Sequence, residues 1–323
     1  MTDDRKPEAP DLRAIRAAAK RIRPYAHQTP VLTCTSLNAM VGAELFFKCE
    51  NLQKVGAFKF RGAANSVFSL PESEAARGVA THSSGNHAQA LALAARLRGI
   101  PAHIVMPENS PKIKVAAVRG YGARIVFCPP TQKDREQTLE TVVAETGASF
   151  IHPYNNLGII AGQGTCALEL IEEIPDLDVV MAPVGGGGLL SGTALCCHYV
   201  KPEIQVIAGE PKGADDAFRS VRDGRIYPSE NPKTIADGLR TSLGSLTFPI
   251  IRRYVESIVT VEEESIVAAM RHIWERMKIL VEPSAAVPFA ALLEGNLQGG
   301  DRRIGIILSG GNLDLDTLPW LKR

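Results

Sequence analysis

The chain has 323 residues, and at about 150 residues per domain this length predicts two domains. Hydrophobic residues make up 45% of it and charged residues 22%, the composition of an ordinary globular protein. Against 35 Asp and Glu there are 36 Lys and Arg, so the formal net charge is +1 and attracts neither a nucleic acid nor an anionic membrane. We expect neither as a partner.

Cysteine usage and the first residues indicate the compartment. The six cysteines form no CxxC pair, and scattered cysteines in a long chain are typical of buried thiols in a reducing compartment. The segment MTDDRKPEAP is charged and lacks the apolar core of a secretory signal. An uncharged stretch at 179–200 contains Pro183 and four consecutive glycines, which disfavour a membrane helix. We therefore expect a soluble cytoplasmic protein.

Short apolar runs rich in Val and Ile alternate with helical patterns along the chain. The runs predict strands at residues 44–49, 78–82, 102–106, 124–128, 178–184, 205–209 and 303–308. The helical patterns include residues 86–97, 132–145, 164–173 and 262–277. This alternation predicts an α/β fold in which mostly parallel sheets are flanked by helices on both faces.

The first candidate for chemistry is a lysine in the segment GAFKFRGA, residues 56–63. Lys59 lies between Phe58 and Phe60 and close to Arg61. Apolar neighbours and a nearby cation both disfavour the ammonium form, so we expect a lowered pKa and a nucleophilic amine. The alternative for any single lysine is a solvent-exposed side chain.

Two polar loops end predicted strands. THSSGNH, residues 81–87, leads into a helix and presents hydroxyl and N–H groups that suit a carboxylate, although a simple helix cap has the same pattern. LSGGN, residues 308–312, ends the last strand, where ligands of open α/β sheets bind; the alternative is a tight turn.

A glycine-rich segment, PVGGGGLLSG at residues 183–192, follows a buried strand and opens an apolar helix. Its glycines let several backbone N–H groups approach one anion at the helix N-terminus, which predicts a phosphate site. The Walker pattern is absent, and GxGxxG fails in every register. A small phosphorylated cofactor is therefore favoured over a dinucleotide, and a flexible connection is the alternative.

Three acidic residues, Glu210, Asp215 and Asp216, lie in the segment EPKGADD, residues 210–216. Carboxylates and a backbone carbonyl are ligands that a hard divalent cation prefers. Considered alone, such a segment is more often a solvated acidic turn.

Taken together, the motifs FKFRGA, SSGNHAQALA, PVGGGG and LSGGN resemble the pyridoxal-phosphate enzymes of fold type II, the tryptophan synthase β-like group. Within it, the chain is similar to the serine/threonine dehydratases, serine racemases and 3-hydroxyaspartate dehydratases, from about residue 14 to residue 312. The resemblance implies pyridoxal 5'-phosphate as cofactor, attached to Lys59. It implies further cofactor contacts from Phe58, Asn86, Gly185, Gly186, Gly187, Gly188 and Ser309.

The resemblance also implies substrate and metal residues. The substrate carboxylate would be bound by the loop of Ser83, Ser84, Gly85, Asn86 and His87. In the racemases the residue matching Ser84 returns a proton to the face opposite the lysine. A divalent cation, Mg²⁺ favoured over Mn²⁺ or Ca²⁺, would be held by Glu210, Ala214 and Asp216.

The substrate is the open question. Arg135 matches a substrate-side arginine of the racemases and can pair with a second carboxylate, although a solvated helix residue is the alternative. Tyr154 follows His152-Pro153 in a segment on the substrate side. The lysine motif has alanine at position 57 and in this resembles the motif of the 3-hydroxyaspartate dehydratases, whereas many threonine dehydratases have serine there.

We therefore expect an ammonia-lyase (dehydratase) that converts a β-hydroxy amino acid, 3-hydroxyaspartate favoured, to a 2-oxo acid and ammonia. The alternatives are an L-threonine/L-serine dehydratase and a serine or aspartate racemase. More distant alternatives are an NAD-dependent oxidoreductase and a non-enzymatic binding protein. The family implies a homodimer with a large cofactor domain, residues 1–74 and 154–323, and a small substrate-side domain, residues 75–153.

Overall fold

The computed structural model of the protein describes residues 8–110, 112–295 and 300–321. Its strands, β1 to β10 in chain order, are Val31–Leu32, Glu44–Cys49, Val79–His82, Ala102–Pro107, Arg124–Cys128, Ser149–Phe150, Val179–Pro183, Gln205–Pro211, Ser257–Val261 and Arg303–Leu308. Its α-helices, α1 to α13, are Leu12–Ile22, Thr35–Val41, Lys59–Ser69, Glu72–Ala75, Asn86–Arg98, Lys112–Gly120, Gln132–Thr146, Leu157–Glu173, Gly188–Val200, Asp216–Asp223, Thr247–Tyr254, Glu263–Met277 and Pro283–Leu293.

Six strands form the large sheet, in the order β1-β2-β10-β7-β8-β9. All neighbouring pairs are parallel except β1 with β2. Alternate residues of β7 belong to different cores: Val180 and Ala182 pack with the helices on one face, and Val179 and Met181 with those on the other. This burial on both faces explains why the strands are continuous apolar runs.

Four strands form the small sheet, in the order β5-β4-β3-β6, and all its pairs are parallel. It too has a core on each face, with Ile104 of β4 in one and Val105 in the other. The predicted α/β class with parallel sheets flanked by helices is therefore confirmed. The exact domain bounds given above stay a prediction.

All seven predicted strands are present, with ends within two residues of the predicted ones. Three strands were not predicted. Strands β1 and β6 have only two residues each, too few for a pattern, and the five-residue β9 was missed. The helix predicted at 164–173 begins earlier, at Leu157. Its early turns contain Gly162, where a Cβ would lie 2.6 Å from Gly62 of α3. Glycine here permits close packing of α8 on α3 and does not break the helix.

The uncharged stretch 179–200 folds as β7, the glycine loop and α9, as predicted. Among the helices of the described ranges, none has the length and apolar character needed to cross a membrane.

Candidate active site

A cleft of about 380 Å³ lies between the two sheets, at the carboxyl ends of their central strands. His82 at the end of β3 lines one side, and Pro183 at the end of β7 lines the other. The cleft brings together all the residues that were predicted for cofactor and substrate: Phe58, Lys59, Ser83, Ser84, Gly85, Asn86, His87, Arg135, Tyr154, Gly185, Gly186, Gly187, Gly188 and Ser309.

Lys59 is the first residue of α3 and points into the cleft. Its Nζ donates a hydrogen bond to the carbonyl oxygen of Pro153 at 2.9 Å and lies 5.1 Å from the centre of the Phe58 ring. Burial lowers the pKa of this amine to about 8, while the carboxylate of Glu282 acts in the opposite direction. A share of the amine is therefore neutral, and nucleophilic, near neutral pH.

Arg61 has no part in this shift, so the expectation that it lowers the pKa of Lys59 is wrong. Its guanidinium is fully buried behind the cleft and forms hydrogen bonds of 2.7–2.8 Å with both oxygens of Glu50 and both of Glu169. Lys48 also donates to Glu169, at 2.8 Å. Residues two apart on a helix do not share a face, which explains why Arg61 and Lys59 point to different surroundings.

The glycine loop, residues 185–188, ends β7 and begins α9. Gly187 has φ of 85°, a left-handed conformation that favours glycine. The loop is buried, and the backbone N–H groups of its four glycines have no acceptor within the described ranges. Four unpartnered N–H groups at a helix N-terminus form a cradle for an anion.

Tyr154 covers this loop. A Cβ at Gly186 would lie 2.3–2.4 Å from three carbons of the Tyr154 ring, so the ring and the backbone are in direct contact. The Tyr154 hydroxyl is 2.9 Å from Thr241 Oγ1 and is hydrogen-bonded to it. The structure thus places this residue, predicted for the substrate, against the loop predicted for phosphate.

Asn86 is held by Asn312, the last residue of the LSGGN motif, and by Glu282, which the sequence did not reveal. Its Nδ2 donates to both carboxylate oxygens of Glu282 at 3.1 Å, and its Oδ1 accepts from Asn312 Nδ2 at 2.9 Å. Glu282 is buried, and burial raises its pKa to about 7. The one local signal was the Glu-Pro pair that starts α13, which indicates a helix start and nothing about the cleft.

The loop of residues 83–87 presents free backbone donors. The N–H groups of Ser84, Asn86 and His87 have no acceptor in the part of the chain that the structure describes. The His87 ring is buried, and its Nε2–H donates to the carbonyl oxygen of Ile151 at 3.1 Å. Burial lowers the pKa of His87 to about 3, so the ring is neutral and has no N–H left for a substrate. Its contribution to the cleft is therefore the backbone N–H.

The family model of pyridoxal-phosphate dependent enzymes matches residues 22–310. The chain belongs to this family. It is 51% identical over 304 residues to beta-hydroxyaspartate dehydratase of Paracoccus denitrificans, covering 94% of this chain and 96% of the relative. It is also 51% identical to serine racemase of Arabidopsis thaliana, covering 98% of each. The structure of maize serine racemase superposes with a TM-score of 0.94 at 50% identity and 97% coverage of each chain.

Family membership confirms the predicted fold type and sets aside the NAD-dependent oxidoreductase. Pyridoxal phosphate is the cofactor of this family, and the residues present fit it. The unpartnered N–H groups of residues 185–188 suit its phosphate, and the Lys59 amine suits its aldehyde. Ser309 lines the same cleft, and its carbonyl oxygen accepts from the Phe58 N–H at 3.0 Å, which holds the two residues together.

The predicted metal ligands lie outside this cleft, at the end of β8 and the start of α10. Both carboxylate oxygens of Asp216 are buried without a hydrogen bond of good geometry among the described residues, and the nearby Ser229 hydroxyl acts to lower the pKa of Asp216. Glu210 accepts the N–H groups of Ala217 and Phe218 at 2.8 Å each. Burial raises the pKa of Glu210 to about 9 and that of Asp216 to about 6. Two buried carboxylates, on either side of the buried Ala214 in the sequence, suit a hard cation.

Proposed function

We propose that the protein is a pyridoxal-phosphate dependent ammonia-lyase that converts 3-hydroxyaspartate to oxaloacetate and ammonia. The observation that carries the choice of substrate is Arg135, whose Nε is buried at the cleft and has no partner in the described part of the chain. A buried guanidinium donor without an acceptor suits a second carboxylate. The relative from Paracoccus denitrificans, named for hydroxyaspartate, supports the same choice.

The cofactor would be held by Lys59, the glycine loop of residues 185–188, Asn86 and Ser309, with Phe58 beside its ring. When bound, pyridoxal phosphate supplies an electron sink for the electron pair that remains after an α-proton is removed. Ser309, a neutral hydroxyl, is the partner that the chain offers to the ring nitrogen. A hydroxyl is too weak an acid to keep that nitrogen protonated, which favours loss of a β-substituent over transamination.

Lys59 is the base of the reaction. Its lowered pKa, about 8, leaves a neutral fraction of the amine that can accept the α-proton of a bound amino acid. The α-carboxylate would lie at the N–H groups of Ser84, Asn86 and His87. Loss of the β-hydroxyl as water, followed by hydrolysis of the C–N bond, gives the 2-oxo acid and ammonia.

Exchange of Arg135 tests the substrate. Arg135→Met should lower kcat/KM for 3-hydroxyaspartate at least about tenfold and leave kcat/KM for L-serine within about twofold, because a charged hydrogen bond is lost from one substrate only. Lys133→Met, on the exposed side of the same helix, is the control. Equal losses of kcat/KM on both substrates would contradict the proposal. If the wild type prefers threonine or serine, the ammonia-lyase reaction stands and the proposed substrate is wrong.

A racemase is the second candidate, because Ser84 lines the cleft together with Lys59. A hydroxyl on the side opposite the amine can return a proton to the other face of the α-carbon. Ser84→Ala should then abolish the conversion of L-serine to D-serine and leave elimination active. Chiral analysis of recovered serine and aspartate separates the two reactions.

Three further features belong to the proposal. A divalent cation, Mg²⁺ favoured, would be bound by Glu210, Ala214 and Asp216. The chain would form a homodimer with a large domain, residues 1–74 and 154–323, and a small domain, residues 75–153; the two separate sheets support this division. The free cysteines, five of them buried, support a cytoplasmic location.

A further inference from the structure

His152 is a second polar group on the side of the cleft where Arg135 lies. It follows β6, and its neighbour Pro153 accepts the hydrogen bond from the amine of Lys59. The centre of its ring lies 6.1 Å from that of His82, with the planes at 84°. His152, His82 and Arg135 all line the cleft. The imidazole of His152 is therefore beside His82, at the end of β3, and the charge of Lys59 acts on it.

Two backbone N–H groups determine which nitrogen of His152 carries the proton. The N–H of Tyr154 donates to Nδ1 at 3.2 Å, and that of Asn155 at 2.9 Å. A nitrogen that accepts these bonds presents a lone pair, so the ring proton is on Nε2. Burial lowers the pKa of His152 to about 4, and the ring is therefore neutral at pH 7. Its Nε2–H has no acceptor within residues that the structure describes.

The hydrogen-bond donors on this side of the cleft differ in whether they already have an acceptor within the protein. The Tyr154 hydroxyl is bonded to Thr241. Among the described residues, Arg135 Nε has no partner, and the hydrogen bonds of His152 involve only its Nδ1. Glu136 also lines the cleft, but it is exposed and accepts a hydrogen bond from Gln132 at 2.6 Å. Two unpartnered donors, one charged and one neutral, match the several lone pairs of a carboxylate.

We propose that His152 is a specificity-determining residue whose Nε2–H, together with Arg135, binds the side-chain carboxylate of a four-carbon dicarboxylic amino acid. This inference rests on the proposed function for the identity of the substrate. It adds a fixed neutral donor to the arginine, so that the distal carboxylate is bound at two points.

Two exchanges of His152 separate its two nitrogens. Asparagine has an oxygen at the position of Nδ1 and can accept the N–H groups of Tyr154 and Asn155, but it has no distal donor. Glutamine has an amide nitrogen near the position of Nε2. His152→Asn should therefore raise KM for 3-hydroxyaspartate about tenfold at little change in kcat, with KM for L-serine within about twofold. His152→Gln should recover part of that loss.

Non-reacting acids test the same donor without turnover. Succinate and butyrate have the four-carbon chain of hydroxyaspartate with two and one carboxylates, and their inhibition constants are measured against the best amino-acid substrate of the wild type. His152→Asn should raise the inhibition constant of succinate about tenfold and leave that of butyrate unchanged. Retained cofactor absorbance and melting temperature show that each variant is folded.

The outcomes are distinct. Equal losses on hydroxyaspartate and serine, unchanged succinate inhibition, or wild-type inhibition by succinate no stronger than by butyrate would each overturn the role of His152. If the wild type does not turn over hydroxyaspartate but succinate inhibition depends on His152, the dicarboxylate site stands and the proposed reaction fails. If hydroxyaspartate is turned over and His152→Asn changes nothing, the reaction stands and this inference fails.

Discussion

The side-chain amide of Asn86 donates to both carboxylate oxygens of Glu282, at 3.1 Å each, across 196 positions of the chain. The orientation of this amide is determined by its neighbours. Asn312 Nδ2 donates to the carbonyl oxygen of Val55 at 2.6 Å and to Asn86 Oδ1 at 2.9 Å, so Asn86 must present its nitrogen to Glu282. Glu282 thus orients a residue predicted to contact the cofactor, and its charge raises the pKa of Lys59.

Glu282→Gln should therefore weaken cofactor binding about tenfold, because the new amide can place its own N–H group against Asn86. It should also lower the pKa of Lys59, because the carboxylate that raises it is gone. Titration of apoprotein with pyridoxal phosphate gives the affinity, and the pH dependence of the association rate should move to lower pH. Glu275→Gln, at an exposed position, is the control. Unchanged affinity and an unchanged pH midpoint would contradict the orienting role.

The contact between Tyr154 and the glycine loop gives a second prediction. Gly186→Ala places a methyl group 2.3–2.4 Å from ring carbons of Tyr154, so the loop must shift and cofactor affinity should fall at least about tenfold. Gly120→Ala is the matched control, because a Cβ there meets nothing within 4 Å. Adding Tyr154→Ala to Gly186→Ala should restore part of the affinity, and no restoration would show that the ring is not the obstacle.

Burial of His87 makes stability depend on pH. Its pKa is about 3 in the folded chain against an ordinary value of 6.5, so below pH 6.5 the unfolded state binds a proton that the folded state does not. Stability is therefore lost as the pH falls. Between pH 7 and pH 5 the wild type should lose about 2 kcal/mol more than His87→Gln, which keeps a donor for Ile151 and does not titrate. Urea unfolding at the two pH values measures this difference, and an equal loss in both proteins would contradict it.

The buried network around Arg61 is a stability element. Arg61→Met leaves the carboxylate of Glu50, which is fully buried, without its main counter-charge, and should cost about 3–5 kcal/mol of unfolding free energy. Arg271→Met removes an exposed ion pair with Glu275 and should leave the unfolding free energy unchanged within error. Urea unfolding compares the two variants. Similar losses of unfolding free energy in both variants would contradict the stabilising role of the buried network around Arg61.

The proposed metal site predicts a thermal shift. Mg²⁺ at about one hundred times its dissociation constant should stabilise the wild type by about 2.7 kcal/mol, since only the folded chain forms the site. Asp216→Asn should abolish the shift in melting temperature between Mg²⁺ and EDTA. Asp223→Asn, at the other end of the same helix, should keep it. A shift of the same size in the Asp216 variant would exclude these ligands.

The parts of the fold that could be predicted are those with a local pattern. Apolar runs such as β7 indicated strands because they are buried on both faces, and the glycine run at 185–188 indicated an anion site because it follows such a strand. Lys59 was identified from its motif. In these cases residues close in the sequence carry the signal, so no knowledge of distant contacts was needed.

The parts that could not be predicted depend on contacts between distant residues. Glu282 directly precedes α13, and its backbone N–H donates to the carbonyl oxygen of Gly310, which follows β10, at 3.0 Å. This contact between distant segments holds Glu282 beside Asn86. The tautomer of His152 depends on two backbone N–H groups whose directions follow from the turn after β6. Arg61 was misjudged because sequence proximity to Lys59 was read as spatial proximity, although a helix directs the two side chains to different faces.

The central claim, a lysine-dependent hydroxyaspartate ammonia-lyase, is tested most directly by the release of 2-oxo acid. Purified protein loaded with pyridoxal phosphate is given the threo and erythro isomers of 3-hydroxyaspartate, L-threonine, and L- and D-serine, each with Mg²⁺ or EDTA, and Lys59→Ala is run in parallel. We expect oxaloacetate from one hydroxyaspartate isomer at a rate above that of any other product, and no release by Lys59→Ala. Release from none of these substrates, or equal release by the variant, would contradict the account.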